Sequence, residues 1–337
     1  MYDLLALGEI LLRLSPPDNE RLFRGDIFEK QIGGAELNVA SGAAQLGLRS
    51  GIISRIPDTV IGAFARNKLR FCGVSDEYLA FDGEKDGRLG IYFYENGAHP
   101  RKPGVVYDRG HSSVTRMEVE EFPEAMFRSA RCFHTSGITL ALGENCRKAG
   151  IRMIQRFKEQ GAVISFDVNF RGNLWTGEEA RECIEGILPY VDIFFCSEDT
   201  ARLTFGREGD VRAIMKSFAR DYPLSVIAST QRMVHSPKVH SFTSVIYDVK
   251  KECFYEEDGY RNIEVVDRIG SGDAYVAGVL YGLLSEGGNC QRALEYGNAS
   301  GAVKNTIPGD MPSLSLRELQ GIIEDHKNSG YHSEMKR

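Results

Sequence analysis

The stretch Val265–Leu284, VVDRIGSGDAYVAGVLYGLL, carries the most information in this chain. A strand-like run ends at Asp267-Arg268-Ile269, and Gly270-Ser271-Gly272-Asp273 then opens a helix with a small, apolar interior. Glycines at 270 and 272 allow the backbone to turn so that several N–H groups converge on one point, and the helix dipole adds positive potential there. Such a nest suits a phosphoryl group in flight, and an aspartate at its edge suits the proton of an attacking hydroxyl. Gly278 and Gly282, one turn apart, would let this helix pack closely on a sheet. Taken alone, the tetrapeptide reads more simply as a tight turn closed by an N-capping aspartate.

Working outward, short apolar runs at 4–7, 51–54, 131–134, 162–166, 192–196 and 225–228 are bounded by Gly, Asn, Asp or Ser, as expected of strands buried on both faces. Helical patterns at 35–46, 145–159 and 210–220 alternate with them, and two more, 273–284 and 291–304, follow late in the chain. This alternation predicts a mainly parallel sheet between helices, an α/β/α sandwich. Segments 10–32 and 88–113 break the pattern and predict short antiparallel strands forming a small lid over the carboxyl ends of the main strands, where open α/β sheets bind ligands. One domain over 1–330 is expected, with a disordered polar tail at 331–337.

A second segment, IGGAELNVASGAAQLGL (32–48), places Gly33-Gly34 just before a helix, with Asn38 one turn in. A double glycine admits close backbone approach, and an amide offers donor and acceptor to a sugar hydroxyl. No GxxxxGK[ST] occurs, and no GxGxxG follows the first strand, which disfavours P-loop enzymes and dinucleotide-dependent dehydrogenases.

Composition narrows the class further. A 337-residue chain with 42% hydrophobic and 26% charged residues is ordinary for a globular enzyme, and a net charge of −6 argues against a nucleic-acid partner. The start, MYDLLALGEI, does not read as a secretory leader, and no apolar run is long enough for a membrane helix. Seven cysteines without CxxC or zinc spacing read as reduced, mostly buried thiols. A cytoplasmic enzyme is expected.

Together the two glycine motifs resemble the ribokinase-like (PfkB) sugar kinases. Gly33 and Gly270 stand 237 positions apart, near the spacing in that family. The resemblance implies a sheet of about eight mainly parallel strands with a β lid often used for homo-oligomer contact. It also implies Asp273 as catalytic base, with Gly270, Ser271 and Gly272 as the anion hole. ATP and Mg²⁺ are implied, and there is room for a monovalent cation such as K⁺. Finer features, SFDVNFRGNLW (165–175), HTSGI (134–138) and KNTIPGD (304–310), resemble members acting on 2-keto-3-deoxygluconate. By that likeness Gly33, Gly34, Asn38, Tyr92, Tyr107, Arg109, Ile138, Arg171 and Asp310 would hold the sugar. Arg109 and Arg171 suit its carboxylate because a guanidinium can clamp one bidentately. Arg171 reads alternatively as a structural partner of Asp167, and Tyr92 as lid core.

The nucleotide side departs from the family. Thr200 stands where a magnesium-organising glutamate is usual, which leaves Glu198 or Asp199 to act through water. After the strand 225–228, a Gly-rich turn is replaced by Ser-Thr-Gln-Arg-Met, so the phosphates would rest on Ser197, Thr230 and Arg232 beside Gly270 and Gly272. Adenine would lie against Asn298, Ala302 and Asn305. Kinases of fructose, of 5-keto-2-deoxygluconate or of the galacto epimer are alternatives. So is a sugar sensor that retains the fold without the chemistry.

Overall fold

The computed structural model describes residues 1–328, so the expected tail at 331–337 lies outside the described residues. In chain order the elements begin β1 (Tyr2–Leu7), β2 (Leu11–Ser15), β3 (Glu29–Gly33), α1 (Ala35–Gln45), β4 (Ser50–Pro57), α2 (Val60–Phe71), β5 (Leu79–Asp82), β6 (Gly90–Glu95) and β7 (Gly104–Asp108). The middle of the chain supplies β8 (Ala130–Ser136), α3 (Gly137–Ala141), α4 (Glu144–Glu159), β9 (Val163–Asp167), α5 (Gly177–Ile187), β10 (Ile193–Phe195), α6 (Glu198–Phe205) and α7 (Val211–Asp221). The last third supplies β11 (Val226–Ser236), β12 (Val239–Asp248), β13 (Cys253–Glu256), β14 (Tyr260–Glu264), α8 (Ser271–Ser285), α9 (Cys290–Asn305) and α10 (Leu316–Lys327).

Ten strands form the main sheet in the order β13-β12-β11-β10-β9-β8-β1-β4-β5, with β14 also paired to β12. The pairs from β5 to β11 are parallel, whereas β12 runs antiparallel to β11, β13 and β14. Alternate side chains of a strand face opposite ways, and two helix layers exploit this. Leu4 and Ala6 of β1 pack with the layer holding α1, α2, α8 and α9. Leu5 and Leu7 pack with the layer holding α4, α5, α6 and α7.

The strand order reverses between β1 and β8: the chain leaves β1 for β4 on one side, and β8 pairs on the other. A crevice forms where the loops after two such strands part in opposite directions. Beside it lies a separate four-stranded sheet, β3-β2-β6-β7, the expected lid. Its central pair β2–β6 is parallel rather than antiparallel, because the two strands enter from separate excursions of the main sheet instead of one hairpin.

Two local expectations change. Gly278 and Gly282 face α9, not the sheet: a side-chain carbon at either would collide with the backbone of Tyr296 or Ala293. Residues 229–233 form no turn, since β11 continues through them in a hairpin with β12 that reaches Ser236. Among the described residues no helix is long and apolar enough to cross a membrane.

Candidate active site

A cleft of about 580 Å³ opens at the carboxyl ends of the central strands, roofed by the lid. Its floor is the start of α8. Gly270 adopts φ 81°, a left-handed conformation that glycine tolerates best, and a side chain there would collide with the Asp310 carbonyl. This turn aims the N-terminus of α8, with Ser271, Gly272 and Asp273, into the cleft. Gly34, at φ 144°, abuts the Glu9 carbonyl and starts α1 so that Asn38 faces Asp273 across the floor.

Asn38 Nδ2 donates to Asp273 Oδ2 at 2.7 Å, while Asn38 Oδ1 is buried without a partner. Asp273 lies deep in the protein with one face still open to the cleft. Burial pushes its pKa up to about 7; the Asn38 bond opposes the rise, and the nearby Asp167 charge adds to it. Asp167, at the end of β9, is likewise pushed up to about 7 by burial, against the pull of the Asn169 N–H and of Arg171. Glu36 is raised by complete burial and accepts from Ser136 Oγ at 2.6 Å and Thr139 Oγ1 at 2.7 Å. Carboxyl groups whose pKa values burial has raised, crowded at one end of a cleft, suit a site that takes and passes protons.

The lid supplies the roof. Tyr92 is buried beneath it, and its hydroxyl donates to Asp310 Oδ2, so it belongs both to the lid core and to the cleft wall. Its ring lies 5.7 Å from that of Tyr107. Arg109 also lines the cleft, but its Nε and Nη2 are committed to Glu9, which Ser112 Oγ holds at 2.7 Å. Arg171 forms no ion pair with Asp167; its Nη1 donates only to the Phe170 carbonyl, at 3.1 Å. Arg232 and Arg268 also face the cleft, and among the described residues none of these three arginines has an ion-pair partner. The cleft is thus acidic at the Asp273 end and cationic where Arg171, Arg232 and Arg268 converge.

Of the residues expected from sequence, the cleft gathers Gly34, Asn38, Tyr92, Tyr107, Arg109, Ile138, Arg171, Ser197, Asp199, Thr230, Arg232, Asp310 and the whole 270–273 turn. Gly33 does not line it but abuts Asp310, where any side chain would collide. Asn298, Ala302 and Asn305 do not line the cleft. They are buried in α9, and Asn298 is engaged by Ser244 Oγ at 2.7 Å and by Glu257 at 2.8 Å. Glu198 is paired with Arg202 on the surface of α6, which leaves Asp199 as the acid facing the cleft. Among the described residues no three metal-binding side chains cluster. Sequence reading missed Glu9, Glu36 and Arg268 as cleft residues, although Glu36 lies inside the GGAELN segment and Arg268 stands two residues before the nest.

A family model described as pfkB family carbohydrate kinase matches residues 1–316. The chain belongs to the pfkB family of carbohydrate kinases. This family member is 33% identical over 321 residues to a 2-dehydro-3-deoxygalactonokinase of Haloferax volcanii, covering 95% of this chain and 96% of the relative. It is 28% identical to a 2-dehydro-3-deoxygluconokinase of Bacillus subtilis, covering 94% and 93%. The crystal structure of the 2-dehydro-3-deoxygluconokinase of Thermotoga maritima superposes with a TM-score of 0.91 at 34% identity, covering 96% of this chain and all of that one. This pfkB kinase has the ribokinase-like fold, and it is a sugar kinase.

Proposed function

We propose that this kinase transfers the γ-phosphate of ATP to the primary 6-hydroxyl of 2-keto-3-deoxygluconate. The reading rests chiefly on Asp273, a desolvated carboxylate held by Asn38 at the edge of the glycine nest. The sugar hydroxyl attacks the γ-phosphorus in line, its proton passes to Asp273, and the bond to the β-phosphate bridging oxygen breaks to release ADP. The N–H groups of the 270–273 turn face the charge that develops on the transferring phosphoryl group. The unpartnered Asn38 Oδ1 suits a donated substrate hydroxyl, and Arg171 suits the substrate carboxylate because no acid already holds it. Arg109 contributes through the edge that Glu9 leaves uncommitted. Mg²⁺, bound with the triphosphate near Asp199, would neutralise phosphate charge.

The galacto epimer is the second reading, favoured by the Haloferax volcanii relative. A cytoplasmic setting suits an ATP-consuming kinase. The exposed Val105 and Val106 of the lid, with Phe23 and Ile27 nearby in sequence to β3, suit contact with a second copy of the chain.

Purified protein assayed for ADP release with Mg-ATP and 2-keto-3-deoxygluconate, its galacto epimer, 5-keto-2-deoxygluconate, fructose and ribose tests this reading. Turnover chiefly on the first, lost about a hundredfold or more in Asp273→Asn, is the expected result. Turnover only on neutral sugars would overturn the acid-sugar assignment, and sugar binding without turnover would point to a sensor.

A further inference from the structure

Lys304, in the last turn of α9, is 0% exposed, in an environment lysine enters only when its charge is compensated. Among the described residues it makes no ion pair. Its Nζ instead donates to two main-chain carbonyls, Ile307 at 3.1 Å and Asp267 at 3.3 Å. The first lies just past its own helix, where the negative end of the dipole favours a cation. The second belongs to a different segment, the run that becomes the Gly270–Asp273 nest three residues later.

Several other contacts tie the same two segments together. Gly309 N donates to Asp267 Oδ2 at 3.1 Å, and Val266 N and Asp267 N donate to the Asn305 carbonyl at 2.8 and 3.1 Å. Arg13 of the lid spans both, reaching Asp267 at 2.6 Å and Asp310 at 2.7 Å. The carbonyl of Asp310 in turn packs under Gly270. Two cations, Arg13 and Lys304, therefore lie beside two buried carboxylates, Asp267 and Asp310, and burial raises the Asp310 pKa against the pull of Arg13. Burial lowers the Lys304 pKa, while both carboxylates work against that.

Main-chain carbonyls converging from separate segments are the ligands a monovalent cation such as K⁺ takes from a protein. We propose that the Lys304 ammonium is a built-in monovalent cation that ties the nest turn to the 306–310 turn and spares the enzyme any need for K⁺. Lys304 is thus a positioning residue: it touches no substrate and acts through the geometry of residues 270–273. The catalytic consequence rests on the kinase reading above; the cation substitution itself does not.

Wild type, Lys304→Ala and Lys304→Met would be compared in tetramethylammonium, Li⁺, K⁺ and NH₄⁺ at constant ionic strength, reading both turnover and melting temperature. Wild type should be indifferent to the choice of ion. Lys304→Ala should lose about tenfold to hundredfold in kcat in tetramethylammonium, the scale of a misplaced catalytic group, and regain most of it in K⁺ or NH₄⁺ but not Li⁺. Its melting temperature should rise with the same ions. Lys304→Met, whose side chain fills the vacated space, should be impaired and not rescued. Should Lys304→Ala fail to fold in tetramethylammonium, folding restored by K⁺ supports the proposal, and failure in every ion sinks it. A wild type that requires K⁺, an unimpaired Lys304→Ala, or an impaired one that no ion improves in turnover or melting would each overturn it. The melting readout needs no substrate, so failure of the kinase reading leaves this test intact.

Discussion

Replacing Asn38 with leucine, similar in shape but without the amide, should move the acid limb of the pH–rate profile upward. Asn38 Nδ2 bonds the Asp273 carboxylate at 2.7 Å and favours its ionised form, against the burial that pushes its pKa up to about 7. A hydrogen bond to a charged group is worth about 1.5–3 kcal/mol. One pKa unit corresponds to about 1.4 kcal/mol, so losing the whole bond would raise the pKa by about one to two units. Because Asp273 keeps one face toward cleft water, which takes over part of that stabilisation, the lower end of the range applies. The limb of kcat/KM, which reports the free enzyme, should therefore shift by about one unit, from near 7 to near 8. Asn38 Oδ1 is also the proposed acceptor for a sugar hydroxyl, so the plateau should fall as well, but a plateau change does not move a limb. Asp167 titrates in the same range, so the limb belongs to the coupled pair. Asp167→Asn supplies the opposite perturbation: with a like charge gone, the limb should move down. A limb that stays in place in Asn38→Leu, or moves down, would refute Asp273 as the base whose ionisation gates turnover.

Three further outcomes follow from the same geometry. Asp273 carries a folded-state pKa raised from 3.8 to about 7, so its contribution to stability is complete below pH 4 and is lost as pH rises toward 7. Asp273→Asn should accordingly melt above wild type at pH 8, with the difference closing by pH 4, as calorimetry across pH would show. Arg13→Met leaves Asp267 and Asp310 buried without their guanidinium, and a broken buried pair costs about 3–5 kcal/mol, measurable by urea denaturation. Arg171→Ala should raise KM for acidic sugars about tenfold or more while leaving KM for ATP nearly unchanged; a selective rise in KM for ATP would move Arg171 to the phosphate side.

The parallel half of the fold was legible because strands buried on both faces are short, nearly unbroken apolar runs, and all six such runs became strands β1, β4, β8, β9, β10 and β11. The antiparallel extension was not. VHSFTSVIYD of β12 is interrupted by His240, Ser241, Thr243 and Ser244, so it lacks the unbroken apolar run by which the parallel strands were recognised. Helix α2 was overlooked for a similar reason: Val60 and Phe71 at its two ends are exposed, which blurs the apolar stripe. At the site, Asp273, Asn38 and the nest were readable because short-range chemistry places them at helix starts. The commitment of Arg109 to Glu9 and the withdrawal of Asn298 into α9 were not, since each depends on a partner about 40 to 100 residues away in sequence that only the tertiary packing supplies.

Within one chain the inner strands of the lid are held by buried ion pairs, and its outer strand is not. Strands β2 and β6 form its inner pair, and each sends a side chain, Arg13 and Tyr92, to the buried Asp310. Because Asp310 also supports Gly270, sliding the inner strands would break buried ion pairs and disturb the nest together. Strand β7 has no such anchor along Val105, Val106 and Tyr107, all of which are at least 40% exposed. Tyr107 therefore sits on the edge able to adjust, with Arg109 just beyond the strand's end, its guanidinium 5.3 Å from the Tyr107 ring centroid and tethered to Glu9 of the main body. A carboxylate that drew on Arg109 would have to share it with Glu9.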